Sequence, residues 1–364
     1  MTMPFVIRWR RAFGVLASTT ALTLYQPAAS SQQPDGPAGR IAIASKAPGM
    51  LTVVGLQGQP AREFKVGYLP HEAAAAGPLV FVSNYGSAHV RSADLTNDPG
   101  NTLSVVDLSR PDAAAEAIDL GPGRCAPHGL AVSRDQQRLY VTCEGRQEVL
   151  VVDVTSRGIL HTIPTNQAGS HMLALSADGS RAYVTNFWPG TVSVLDLQTR
   201  RILGQIATGS GTEGIGLSPD DRHAYTSSVY INEIVKIDTG TLQVVGRATM
   251  GNCLGAVRVV PTPVDGRTLV VNCADNGRVL LVDAHAEAEA IASAAARTAD
   301  LEAADRNVLR RRYTDDGLCV QHDHRRLDDR VPVRYGVKRE IVLAARDRHL
   351  LFVGPAADAD GVAC

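Results

Sequence analysis

The chain has 364 residues, is 45% apolar and carries a formal net charge of −1. That length allows one large domain or two small ones, with enough apolar residues for a sizeable core. A near-neutral charge removes the electrostatic case for a nucleic-acid partner or an anionic membrane surface.

The first segment reads as a targeting signal. Arg8, Arg10 and Arg11 precede the apolar run "AFGVLASTTALTLY" (Ala12–Tyr25), and small residues follow in "PAASS" (Pro27–Ser31). This is the order of a secretory signal over residues 1–30. The run is too short to favour a spanning helix. The arginine pair leaves the general and twin-arginine routes both open. Residues 31–40 read as a flexible lead-in, and 41–364 as one domain. The expected location is therefore periplasmic or secreted, with no transmembrane segment in the mature protein.

From residue 67 onward the chain repeats itself. "PHGLAVSRDQQRLYVTC" (Pro127–Cys143) returns as "SHMLALSADGSRAYVTN" (Ser170–Asn186). Thirteen residues after Tyr140, Tyr183, Tyr225 and Val270 come Asp153, Asp196, Asp238 and Asp283, so the steps are 43, 42 and 45 residues. Each unit holds four short apolar runs, as in "GLAVS", "RLYVTC", "EVLVVDV" and "ILHTIPT", with turn residues between them. Four strands in that period is the pattern of a β-propeller blade, which buries its faces only against its neighbours. An earlier copy holds "PLVFVSNYG" and "TLSVVD", with a longer loop at 87–101. The repeated aspartates sit at strand ends, where a carboxylate accepts turn N–H groups, so they read as structural.

The ends fit one shared blade. "REIVLAARDRHLLFVG" (Arg339–Gly354) fits its first two strands and "GMLTVVGLQGQPAREFKVG" (Gly49–Gly67) its last two. Sharing a blade removes the open edges of the ring. This accounting yields six blades. The segment at about 285–335 is irregular, with a helix-like Ala/Glu/Arg-rich stretch at 286–312. It is either a diverged seventh blade or a helical insertion into six.

"RLYVTCEG", "RAYVTNFWPGTVSVLDL" and "ADGSRAY" resemble the YVTN/YncE family of bacterial β-propellers, over roughly 67–283. The resemblance implies an all-β propeller of four-stranded blades, most often seven. Propellers related to it include lactonases, lyases, electron-transfer subunits and binding scaffolds, so it does not choose a chemistry.

Placed twelve residues before each strand-end marker, the opening position of the first strands holds His128, His171, Glu213, Arg258 and Glu340. His71 sits two residues closer to its marker, which implies a shorter hairpin. These six groups are expected to share one channel mouth, a convergent polar set of the kind that binds a small molecule. His128 and His171 are the candidate acid/base groups, with Glu213 as a carboxylate partner. His71, Arg258 and Glu340 are candidate substrate contacts, Arg258 as a bidentate anchor for a carboxylate or phosphate. The cofactor is open. A divalent metal is chemically permitted, with His71, His128, His171 and Glu213 as candidate ligands, but no short His-x-x-x-His spacing supports it. Glu72 and Glu144 either reach the same mouth or are solvated. Tyr85 and Trp188 either wall it or pack in loops. "PHG" resembles lactonase-type and streptogramin-lyase-type propellers only faintly.

Cys125 and Cys143 bracket one first hairpin, and Cys253 and Cys273 lie almost equivalently in another. Antiparallel pairing brings each pair to one end of its blade, and export permits bridges Cys125–Cys143 and Cys253–Cys273. Two functions stay open. One is a hydrolase, lactonase-like, or a lyase acting on a small polar substrate. The other is a non-catalytic binding or scaffold propeller acting through protein or envelope partners.

Overall fold

The computed structural model describes residues 39–46, 48–55, 59–86, 100–251, 253–274 and 278–284, together with the backbone of strands at 331–334, 340–343 and 348–353. The signal-like segment, the helix-like stretch, Cys319 and Cys364 lie outside the described residues. Among the described residues there are only strands, turns and coil, and no helix is long and apolar enough to cross a membrane.

The strands form successive antiparallel sheets. The first three are β1 (Arg40–Ser45), β2 (Met50–Gly55) and β3 (Arg62–Lys65). Four complete blades follow the same plan. β4 (Pro70–Ala76), β5 (Leu79–Asn84), β6 (Thr102–Asp107) and β7 (Glu116–Asp119) make one. The next holds β8 (Pro127–Val132), β9 (Arg138–Cys143), β10 (Glu148–Asp153) and β11 (Ile159–Pro164). The third holds β12 (Ser170–Leu175), β13 (Arg181–Asn186), β14 (Thr191–Asp196) and β15 (Arg201–Ala207). A fourth is β16 (Thr212–Leu217), β17 (His223–Ser228), β18 (Glu233–Asp238) and β19 (Gln243–Thr249). β20 (Ala256–Pro261), β21 (Thr268–Cys273) and β22 (Arg278–Asp283) form a three-stranded sheet. β23 (Val331–Arg334) pairs with β24 (Glu340–Leu343), while β25 (Arg348–Val353) pairs with β1. The protein is an all-β propeller, and its described residues make seven sheets.

The termini do share a blade, but with a different division from the one expected. β25 is joined to β1, β2 and β3 in that order, so one C-terminal strand meets three N-terminal ones. Arg40–Ser45 supplies the second strand, a place expected for Arg348–Val353. Glu340 falls one strand earlier, on β24, and not on the strand that closes the ring.

The repeat motif explains the packing. Side chains alternate faces along a strand. Tyr140 therefore faces the following blade, where it is buried with Leu173, Ala182 and Val184. Its neighbour Val141 faces the preceding blade, with Phe81, Leu103 and Val105. Tyr183 and Tyr225 repeat the arrangement against the next blades.

Two residues past each tyrosine or phenylalanine, a hydroxyl faces the same way as the ring and rivets the blades. Ser83 Oγ accepts from Glu72 N (2.9 Å) in its own blade and donates to His128 O (2.9 Å) in the next. Thr142 accepts from Gly129 N (2.8 Å) and donates to His171 O. Thr185 accepts from Met172 N (2.9 Å) and donates to Glu213 O (2.7 Å). Thr185→Val keeps the shape but strands a buried N–H and a buried carbonyl. It is expected to cost about 1–3 kcal/mol, read by denaturant unfolding, with Thr185→Ser close to wild type. Equal stability of the Val and Ser variants would show that the hydroxyl does not carry the joint.

Disulfides join Cys125 to Cys143 and Cys253 to Cys273, with Cα atoms 4.5 and 5.0 Å apart. Cys143 and Cys273 stand where other blades end the second strand with Asn84 or Asn186. Those amides tie down their own third strands, Asn84 through Thr102 (2.9 Å) and Asn186 through Ser193 (2.9 Å). The repeated aspartates are turn acceptors, as read. Asp153, Asp196 and Asp238 accept from Ser156 N, Thr199 N and Thr241 N at 2.6–2.7 Å. These bonds hold their carboxyls below the usual range.

Candidate functional site at the propeller axis

The first strand of each of the five blades that begin at β4, β8, β12, β16 and β20 enters through the same local geometry. The residue just before it is left-handed: Leu69 (φ 47°), Ala126 (φ 47°), Gly169 (φ 70°), Gly211 (φ 73°) and Gly255 (φ 64°). The strand then carries a β-bulge, in which two residues oppose one on the second strand. His71 and Glu72 oppose Ser83, His128 and Gly129 oppose Thr142, and His171 and Met172 oppose Thr185. Glu213 and Gly214 oppose Ser227. The second bulge position abuts the next blade. A Cβ on Gly129 would sit 2.7 Å from His171 O, which is why glycine follows His128.

The bulges correct one sequence placement. Val260 pairs with Val270 as Ala131 pairs with Tyr140, so Val257, not Arg258, stands at the histidine position. Arg258 occupies the second bulge position, like Glu72. On a regular strand a one-residue shift would reverse its face. The bulge spares it, and Arg258 still reaches the axis.

The structure brings together His71, His128, His171, Glu213 and Arg258, and adds Glu72 and Glu144. All seven are between 1 and 7% exposed, so they form a buried network. Its contacts form a circuit. Tyr85 Oη donates to Glu144 Oε2 (2.8 Å), and Glu144 Oε1 bonds His171 Nδ1. His171 Nε2 bonds Glu213 Oε1 (2.6 Å), which lies 3.7 Å from Arg258 Nη1. Arg258 Nη2 then donates to Glu72, back in the blade that holds Tyr85. Alongside runs a stack of imidazoles, with His71 and His128 centroids 3.8 Å apart and His128 and His171 3.6 Å apart. Phe187 packs near His171 (5.6 Å) and touches Trp188 (4.6 Å) and the exposed Tyr230 (5.4 Å), forming an aromatic lip.

Burial disfavours the His171 imidazolium, but the charges of Glu213 and Glu144 and their hydrogen bonds outweigh it and raise the pKa to about 10. His171 is thus a fixed cation between two carboxylates, with both ring nitrogens engaged. Its two ring nitrogens face Glu144 and Glu213, so the ring is placed to hold charge between them. Arg258 is spent on Glu72 and Glu213 and does not present an open fork for a substrate anion. Glu340 lies on β24, outside the register of the bulges, and its side chain lies outside the described residues. Glu72 and Glu144 gave only position as a signal: one adjoins His71, and the other follows the bridged Cys143.

Comparison with known proteins locates the chain among propellers. No curated protein matches it. Among solved structures, Kuenenia stuttgartiensis hydrazine synthase superposes with a TM-score of 0.56 at 19% identity, covering 68% of this chain and 76% of that one. A functionally unknown protein from Desulfotomaculum acetoxidans DSM 771 gives a TM-score of 0.54 at 13% identity, covering 67% and 75%. Both likenesses concern the fold alone. The family model of the Cytochrome D1 heme domain matches residues 134–325.

A haem does not fit the described axis. A macrocycle needs a slot with two open faces, yet here the three tilted imidazoles lie with centroids 3.6–3.8 Å apart and the Glu–His–Glu–Arg–Glu circuit links buried side chains of neighbouring blades. The family match therefore carries fold and ancestry without its cofactor at this place. Since it spans more than half of the sequence, the chain belongs to the Cytochrome D1 heme domain family of β-propellers.

Proposed function

We propose that this is an exported, YVTN/YncE-like propeller that acts on a small polar molecule at the axial cluster, as a hydrolase of the lactonase kind or as a lyase. The observation that carries the reading is the convergence of seven ionisable side chains, from five consecutive blades, into one buried cluster. Burying so many charges is costly and gives weak stability in return, so such networks concentrate at functional sites. His128 is the group for proton exchange: it lies between His71 and the fixed cation His171, and beneath Tyr85 (5.6 Å, edge to face). Glu213 and Glu144 hold the charge of His171, and Arg258 holds Glu72. Two disulfides support folding in an oxidising compartment.

The burial of the cluster favours a second reading, in which the circuit clasps the blades and the protein binds a partner without catalysis. Assaying the exported protein against a panel of lactones and esters separates them. Turnover that falls about 10²–10⁴-fold in folded His128→Gln fits general acid–base catalysis. Turnover that survives the substitution removes His128 from the chemistry. A folded protein inert across the panel returns the chain to the binding reading.

A further inference from the structure

We propose that His71, Glu72 and His128 form a binding site for a divalent first-row transition metal. The inference rests on the axial-site reading for its place, assigns His128 to an ion in place of proton exchange, and has a test that reads metal and not activity.

The donor atoms of these three buried residues all lie within 4.8 Å of one another. Two metal–ligand bonds of about 2.1 Å span up to about 4 Å, so the donors close on an ion with a shift of less than about an ångström. Two imidazoles and one carboxylate suit zinc, cobalt, nickel, copper or iron(II) better than calcium or magnesium. Three protein ligands with further positions open are the pattern of a catalytic and not a structural metal.

The supporting groups are in place. The Ser83 hydroxyl accepts from Glu72 N and donates to His128 O, so one atom sets the backbones of two ligands. Arg258 orients Glu72 from behind. Outer contacts of this kind fix ligand direction. Leu69 and Ala126, the left-handed residues without glycine's freedom, begin the two strands that carry these ligands. Each precedes a proline, which disfavours helical backbone on its own account. Strain of that sort persists where the surroundings demand it. A second set, His128, Glu144 and His171, is equally close. It is the weaker site, because carboxylates already occupy both nitrogens of His171.

The test uses Co²⁺. Full-length protein, stripped with chelator and reloaded, is expected to hold one equivalent by elemental analysis and to show visible d–d absorption. Glu72→Gln and His128→Gln are expected to lose it. Ser83→Ala, which removes no ligand, is expected to bind about 10–100-fold more weakly. His161→Ala and His223→Ala, outside the cluster, are expected to bind as wild type. No binding by the wild type, or full binding by folded Glu72→Gln, overturns the site. Loss in folded His171→Gln with retention in Glu72→Gln assigns the metal to the other set and overturns it equally. Because these arms read metal alone, their failure leaves the acid–base reading, tested on the lactone and ester panel, standing.

Discussion

Arg258→Ala is expected to destabilise the folded ring by about 3–5 kcal/mol. From sequence, a group at a channel mouth should be removable with little effect on folding. The structure reverses that expectation, because Arg258 is 4% exposed and faces two buried carboxylates. Removing it leaves Glu72 and Glu213 close together without a cation. It also opens the only link that joins the blade of β20 to the blade of β4 within the circuit of described contacts. Arg258→Lys keeps the charge but not the planar fork, and should fall between alanine and wild type. The double variant Glu72→Gln with Arg258→Ala should be less destabilised than the sum of its singles, since the charge left behind is smaller. Denaturant unfolding in chelator-treated buffer measures all four proteins. A loss below about 1 kcal/mol for Arg258→Ala would place the guanidinium in a solvated setting like that of exposed ion pairs.

The disulfides carry the second large effect. The bridges span 18 and 20 residues of chain. Closing loops of that length in the unfolded state corresponds to about 3 kcal/mol each. Cys125→Ser and Cys253→Ser should each lose about that much, and the double variant about the sum, because the bridges lie in different blades and share no partner. Each bridge also replaces an asparagine that other blades use to tie the end of the second strand, so its loss leaves that end without either device. Reducing agent should move the wild type to the stability of the double variant and leave the double variant where it is. A wild type insensitive to reductant, with titratable thiols under oxidising conditions, would show that the cysteines do not pair.

How much of this was legible in the sequence follows from how local each feature is. The strands, their period and the blade architecture rest on alternation and turn residues within a few positions, so "RLYVTC" and "RAYVTN" announce them. The disulfides were legible for the same reason: both cysteines of a pair sit at one end of a single hairpin. The shared register of His71, His128, His171 and Glu213 was also readable, because equal offsets on equivalent strands give equal heights on a ring. The shorter hairpin after His71 was readable from its two-residue offset.

The placement of Arg258 was not, because the hairpin from β20 to β21 is one residue longer than that from β8 to β9, and an added turn residue leaves no mark on the strand pattern. Nor was the division of the closing blade, since the pairing of β25 with β1 joins segments some 300 residues apart. The chemistry of the site was decided at the same level. Whether Glu72 and Glu144 are solvated or buried, and whether His171 is a base or a fixed cation, depends on which side chains other blades bring within hydrogen-bond reach. Sequence determines the kinds of groups that line the axis. Their charges and partners exist only once five blades have closed around them.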